Sequence, residues 1–114
     1  SPKLGDANPA MFSEKIVTGL LREQLGYEGV VITDDVNAKA LADVPTGARA
    51  VRHVAAGGDI VLTGAASDAD AMLEALAAEA GSDAGFAAKV DASVERVLTL
   101  KERMGLLPCS TQKP

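Results

Sequence analysis

The residues best suited to chemistry in this chain are Asp34 and Asp35. They are adjacent carboxylates that follow directly on the run Gly29-Val30-Val31-Ile32-Thr33. A β-branched run of that length predicts a strand, and the C-terminal edge of a parallel sheet is where α/β active sites form. A carboxylate there can serve as nucleophile, as general base or as metal ligand. The structural alternative has one Asp capping the following turn and the other solvated, and position alone does not separate these roles. Acidic pairs at strand ends also hold Mg²⁺ in phosphoryl-transfer domains. Here no matching Lys or second acidic site accompanies the pair.

The other candidates are weaker. His53 falls inside a predicted helix beside Arg49 and Arg52, not at a strand end, so it reads as a surface or packing histidine. Gly57-Gly58 reads as a helix C-cap and Thr63-Gly64 as the exit of a strand, both too short for a phosphate loop. No Gly-x-Gly-x-x-Gly, Walker-type or His/Cys metal spacing occurs, and no cofactor is implied. Cys109 is the single cysteine, which excludes an intrachain disulfide and a cysteine metal cluster.

The elements that must position Asp34 follow from periodicity and breakers. Residues 1–11 carry Pro2, Gly5, Asp6, Asn8 and Pro9, a loop composition. Ser13 stands as an N-cap before Ile16, Val17, Leu20, Leu21 and Leu25, one apolar helical face that Gly26 ends. The run ending at Thr33 does not alternate, so both its faces are expected to be buried, as in a parallel sheet covered by helices. Residues 37–43 read as a loop with some helical character. A second helix passes through Ala48, Val51, Val54 and Ala55, and Asp59-Ile60-Val61-Leu62-Thr63-Gly64 reads as a second buried strand. Ser67 or Asp68 caps a third helix carrying Met72, Leu73, Leu76 and Ala80. A last helix spans about residues 83–104, with Phe86, Val90, Val94, Val97 and Leu98 on one side.

Composition bounds the answer further. The chain has 114 residues, 47% of them hydrophobic, with two Phe, one Tyr and no Trp. That allows one small domain with a core of small side chains, and predicts marginal stability for the chain alone. A net charge of −5 with no basic run argues against nucleic acid, and no run of 18 apolar residues predicts a membrane span. Arg22, Lys39, Arg49 and Arg52 are scattered and read as solvated surface. The compartment is left open. Two parallel strands with four helices cannot cover their own edges and faces. With a loop-like start at Ser1, this leads to the expectation of a fragment of a larger parallel sheet; the alternative is a module that assembles with other chains.

The succession of motifs resembles family-three glycoside hydrolases, and within them the β-N-acetylglucosaminidase branch. The resemblance lies in Asn8-Pro9-Ala10 with Phe12-Ser13 and a helix ending Leu20-Leu21-Arg22-Glu23-Gln24-Leu25-Gly26-Tyr27. It continues in the strand Gly29-Val30-Val31-Ile32-Thr33-Asp34-Asp35, then in Ala55-Ala56-Gly57-Gly58-Asp59-Ile60-Val61-Leu62. It closes in Ser93-Val94-Glu95-Arg96-Val97-Leu98 with residues 101–106. It spans nearly the whole chain, in order.

This resemblance implies an α/β fold: the C-terminal portion of a (β/α)8 barrel over residues 1–107, its last two strands with flanking helices, followed by a tail at 108–114. It implies that Asp34 is the catalytic nucleophile of a retaining glycosidase acting on terminal β-linked N-acetylglucosamine or related β-glycosides. The acid–base of that branch is a His paired with an Asp on an earlier loop, and the sugar is gripped by upstream Arg and Lys-His positions. None of these has a counterpart here, and His53 does not match the motif. The implied partners are therefore a carbohydrate substrate and the remainder of the barrel, without which the chain should be inactive. One departure is local: the branch often has Leu-x-Met after Asp-Asp, where this chain has Val36-Asn37-Ala38. Two other readings stand beside this one, a non-catalytic α/β oligomerisation module and a Mg²⁺-binding acidic pocket at Asp34-Asp35.

Overall fold

Pro45-Thr46-Gly47 starts the helix around which the rest is arranged. The computed structural model describes residue 3 and residues 5–108, and in it α1 runs Thr46–Ala55. Its buried residues are Arg49, Ala50, His53 and Val54, a three-and-four spacing that makes one inward stripe. After a 3₁₀ turn at Ala66–Asp68 comes α2, Ala69–Ser82, and then α3, Ala84–Arg103. Asp83 caps α3 by accepting the Phe86 amide at 3.0 Å. Helix α1 packs mainly on α2 and less on α3. The close crossing with α2 depends on Gly47, where a Cβ would lie 2.7 Å from the Ala75 Cβ.

The core is a cluster of Phe12, Val36, Leu41, Ala50 and Met72, flanked by Met11, Val44, Val61 and Leu76. Arg49 lies buried beside it and ties two loop positions down, donating to Val36 O at 2.9 Å and Val44 O at 2.8 Å. The predicted first helix exists but is wound as a π-helix over Lys15–Gln24, closed by Leu25 N donating to Leu20 O at 3.0 Å. Ser13 does cap it, accepting the Ile16 amide at 3.2 Å, while its own hydroxyl donates to Asp6. Gly26 ends the element at φ +70, the left-handed conformation that glycine adopts without steric cost.

The π-helix is anchored by the carbonyls at the end of α1 that have no partner within the helix. A helix end leaves its last carbonyls without partners, and here side chains from both neighbouring elements supply them. Ala55 O accepts from Lys89 Nζ at 2.7 Å and Ala56 O from Thr18 Oγ1 at 2.8 Å. Gly57 O accepts from Arg22 at 2.8 and 3.0 Å, and Gly58 O from Ser93 Oγ at 2.9 Å. The predicted Gly57-Gly58 C-cap is thus present, with Gly57 at φ +106 and Gly58 N bonded back to His53 O.

The expected α/β class is not what the chain forms. Among the described residues there is no strand and no sheet, only a single parallel bridge between Ile32 and Ile60, so the fold is helical and not a two-strand portion of a (β/α)8 barrel. The residues of both runs are extended and lie side by side, with Thr33 N on Ile60 O at 3.0 Å and Ile60 N on Val31 O at 3.1 Å. Side chains interrupt the ladder on either side of this bridge. Val31 N donates to the Asp59 carboxylate at 2.9 Å, and Leu62 N to Thr33 Oγ1 at 2.9 Å. Each takes a backbone donor that a regular ladder would use. The burial expected of both faces fails too, since Ile32 is 55% and Leu62 48% exposed. On the apolar side of α3, Phe86 is buried whereas Val94 and Leu98 are exposed. Among the described residues, no helix is long and apolar enough to cross a membrane. Cys109 and residues 110–114 lie outside the described residues.

Candidate functional site

Asp34 sits in a turn held on both sides by buried residues. Before it, Thr33 is buried and its hydroxyl accepts the Leu62 amide. After it, Val36 is fully buried in the core, with its N–H on Leu62 O at 2.9 Å and its carbonyl on Arg49. Between these anchors the Asp34 side chain is exposed. One of its oxygens, Oδ1, accepts the Asp35 amide at 2.8 Å. Among the described residues no group donates to the other. Rigid backbone with an outward carboxylate is what a nucleophile or base at this position requires.

Asp35 is turned differently. Its Oδ1 accepts the Asn37 amide at 2.8 Å and the Gly64 amide at 2.9 Å, so it bridges the turn to the end of the second extended run. Those amides, Gly64 first and Asn37 second, hold its carboxyl below the ordinary carboxylate range, against a smaller opposing effect of burial. Gly64 leaves room for this contact: a Cβ there would lie 2.7 Å from Asp35 Oδ2 and push the carboxylate aside. The adjacent acids are therefore unequal, one exposed and one committed to backbone donors. Among the described residues, no group of three His, Cys, Asp or Glu side chains is placed to hold a metal ion.

His53 is fully buried, with Nδ1 2.8 Å from Met11 O. Because a carbonyl only accepts, that contact needs a proton on Nδ1. Its Nε2 has no hydrogen-bond partner and lies against Gly58, where there is no room for a Cβ. Of the two readings open for it, surface or packing, the structure shows packing.

Sequence reasoning missed three contributors. The scattered positions of Arg22 and Arg49 in the sequence suggest solvated surface. Instead Arg49 is buried, and Arg22 makes hydrogen bonds to Gly57 O, Gly29 O and Asp59. Asp59 itself has its side chain wholly buried between Arg22 at 2.6 Å and Arg96 at 2.9 Å. The one available signal was an Asp inside an apolar run, between Gly58 and Ile60. A charge in such a place must be paired.

Comparison with known proteins agrees in direction. Residues 2–100 match the family model described as the glycosyl hydrolase family 3 N terminal domain. A β-hexosaminidase of Bordetella pertussis is 39% identical over 105 residues, which is 90% of this chain and 26% of that protein. Among solved structures, a β-N-acetylhexosaminidase from Beutenbergia cavernae superposes with a TM-score of 0.76 at 45% identity, covering 83% of this chain and 29% of the other. A family 3 β-N-acetylglucosaminidase from Paenibacillus sp. str. FPU-7 gives a TM-score of 0.80 at 37% identity, covering 90% of this chain and 20% of the other. The chain thus spans about a quarter of the length of the curated relative, 26%. With its ordered elements matched over residues 2–100, the chain belongs to glycosyl hydrolase family 3.

Proposed function

We propose that this chain contributes the nucleophile, Asp34, to a retaining glycosidase acting on terminal β-linked N-acetylglucosamine or related β-glycosides. The observation that carries the proposal is the exposed Asp34 carboxylate on a turn anchored by Thr33 and Val36, with one oxygen held by the Asp35 amide and the other open. The substrate class comes from the relatives, which are named β-hexosaminidase and β-N-acetylglucosaminidase.

In the proposed mechanism the open Asp34 oxygen attacks the anomeric carbon as the glycosidic C–O bond breaks. The leaving oxygen takes a proton from an acid, and water then hydrolyses the glycosyl ester. Retaining enzymes hold the two catalytic groups roughly 5–5.5 Å apart. His53 is not that acid, because it is fully buried and its Nδ1 is engaged by Met11 O. We assign the acid to polypeptide that the relatives have beyond the matched segment. The 114 residues alone are then expected to turn over no glycoside.

The test replaces the matching segment of the Beutenbergia cavernae β-N-acetylhexosaminidase with this chain. A mechanism-based fluorosugar should label Asp34. Asp34→Asn should lower turnover of an aryl β-N-acetylglucosaminide by at least roughly a thousandfold. Label on another residue, or undiminished turnover in Asp34→Asn, would sink the assignment.

A further inference from the structure

The turn that carries Asp34 has a support that no family match assigns. Asp35 spans from that turn to the second extended run: its carboxylate accepts from Asn37 N on its own side and from Gly64 N across the gap. Two further links cross the same gap, Leu62 N to Thr33 Oγ1 and Val36 N to Leu62 O. Asp35 thus supplies the outermost of three ties between residues 33–37 and residues 62–64. Its own amide is the donor on Asp34 Oδ1. The segments lack a ladder, so these few bonds replace the strand pairing that would otherwise hold a strand-end carboxylate still.

We propose that Asp35 is a positioning residue for Asp34, and that Gly64 is the small residue this role demands. Asp35 does not react. Its carboxylate pins the turn to Gly64, which keeps the Asp35 amide on one Asp34 oxygen and turns the other outward. The inference rests on the reading of Asp34 as nucleophile, and its geometric half can be tested without that reading.

The experiment uses the same chimaera, in which this chain replaces the matching segment of the Beutenbergia cavernae enzyme, as wild type, Asp35→Ala and Gly64→Ala. Asp35→Ala removes the oxygen that accepts from both Asn37 N and Gly64 N, together with a charge beside Asp34. Gly64→Ala keeps both charges and displaces the Asp35 carboxylate, since the added Cβ would sit 2.7 Å from Oδ2. Two quantities are read: amide hydrogen exchange at positions 36 and 64 against Ala50 and Val54 in α1, and labelling of Asp34. The label is an N-acetylglucosamine-derived fluorosugar with fluoride as leaving group, which needs no protein acid. Both variants should speed exchange at positions 36 and 64 by about tenfold or more with α1 unchanged. Both should also slow Asp34 labelling by a similar factor.

Unchanged exchange in both variants would overturn the proposal. So would loosening of α1 in step with the turn, which marks a general structural role, and so would undiminished labelling on a loosened turn. Slower labelling in Asp35→Ala alone would also count against it, because Gly64→Ala displaces the carboxylate while keeping its charge. If the wild-type chimaera takes no label at Asp34, the nucleophile reading fails. The exchange comparison then still decides whether Asp35 pins the turn.

Discussion

Arg22 and Asp59 form a buried ion pair at 2.6 Å, with side chains 10% and 0% exposed, and through it the π-helix is joined to the second extended run. The same guanidinium reaches Gly29 O and Gly57 O, and the same carboxylate accepts Val31 N and Arg96. Four parts of the chain meet at this point. Ion pairs removed from water repay their desolvation only when such additional hydrogen bonds complete them.

Breaking the pair from one side should therefore be severe. Asp59→Ala leaves Arg22 buried against carbonyls without its counter-charge and is expected to cost about 3–5 kcal/mol. Arg96→Ala should cost clearly less, because its side chain is 29% exposed and Arg22 remains on Asp59. Urea unfolding followed by circular dichroism checks both, and equal losses in the two variants would contradict this ranking.

Asp59 is also expected to make the fold sensitive to acid. Burial acts to raise its carboxyl, but the Val31 amide and the two arginines outweigh burial and hold it below its ordinary value of 3.8. A depressed folded-state value means that the stabilisation is fully present above 3.8 and is lost as pH falls below it, toward the folded value. Unfolding free energy should stay level with respect to this group from neutral pH to about 5, then decline. Asp59→Asn should show a shallower decline over the same acid range, and an identical slope in the two proteins would remove Asp59 as the cause.

Gly58 and His53 should be energetically coupled. Gly58→Ala drives a methyl into the His53 ring and is expected to cost about 1–3 kcal/mol. His53→Ala removes the ring and makes room for that methyl. The double variant should then be more stable than the sum of the single losses predicts, with a coupling of roughly 0.5–3 kcal/mol. A double-mutant cycle in denaturant measures it; simple additivity would mean that the backbone, and not the ring, carries the strain.

Much of the helical content was legible because helix signals are local. Periodicity marked the stretches that became α1, α2 and α3, Asp83 lies where the last helix was expected to begin, and Gly57-Gly58 stands at the end of α1. The turn holding Asp34 was legible for the same reason, as a pair of acids ending a β-branched run. The π winding of Lys15–Gln24 was not legible, since its apolar spacing also suits an α-helix. Nor was the failure of the strands. β-Branching favours extended backbone, but whether extended segments pair depends on which groups reach their amides, and here Asp59 and Thr33 intercept them.

The chain alone therefore determined where helices start and stop, that Asp34 ends an extended run, and which family the order of motifs resembles. Only the tertiary structure decided what the polar residues do. It buried His53, turned Arg22, Arg49 and Asp59 inward, and made Asp35 a bridge to Gly64 while leaving Asp34 exposed. The physical reason is range. Helix propensity and capping act within a few residues, whereas the partner of a carboxylate or guanidinium is chosen by whichever distant backbone the fold brings within about 3 Å.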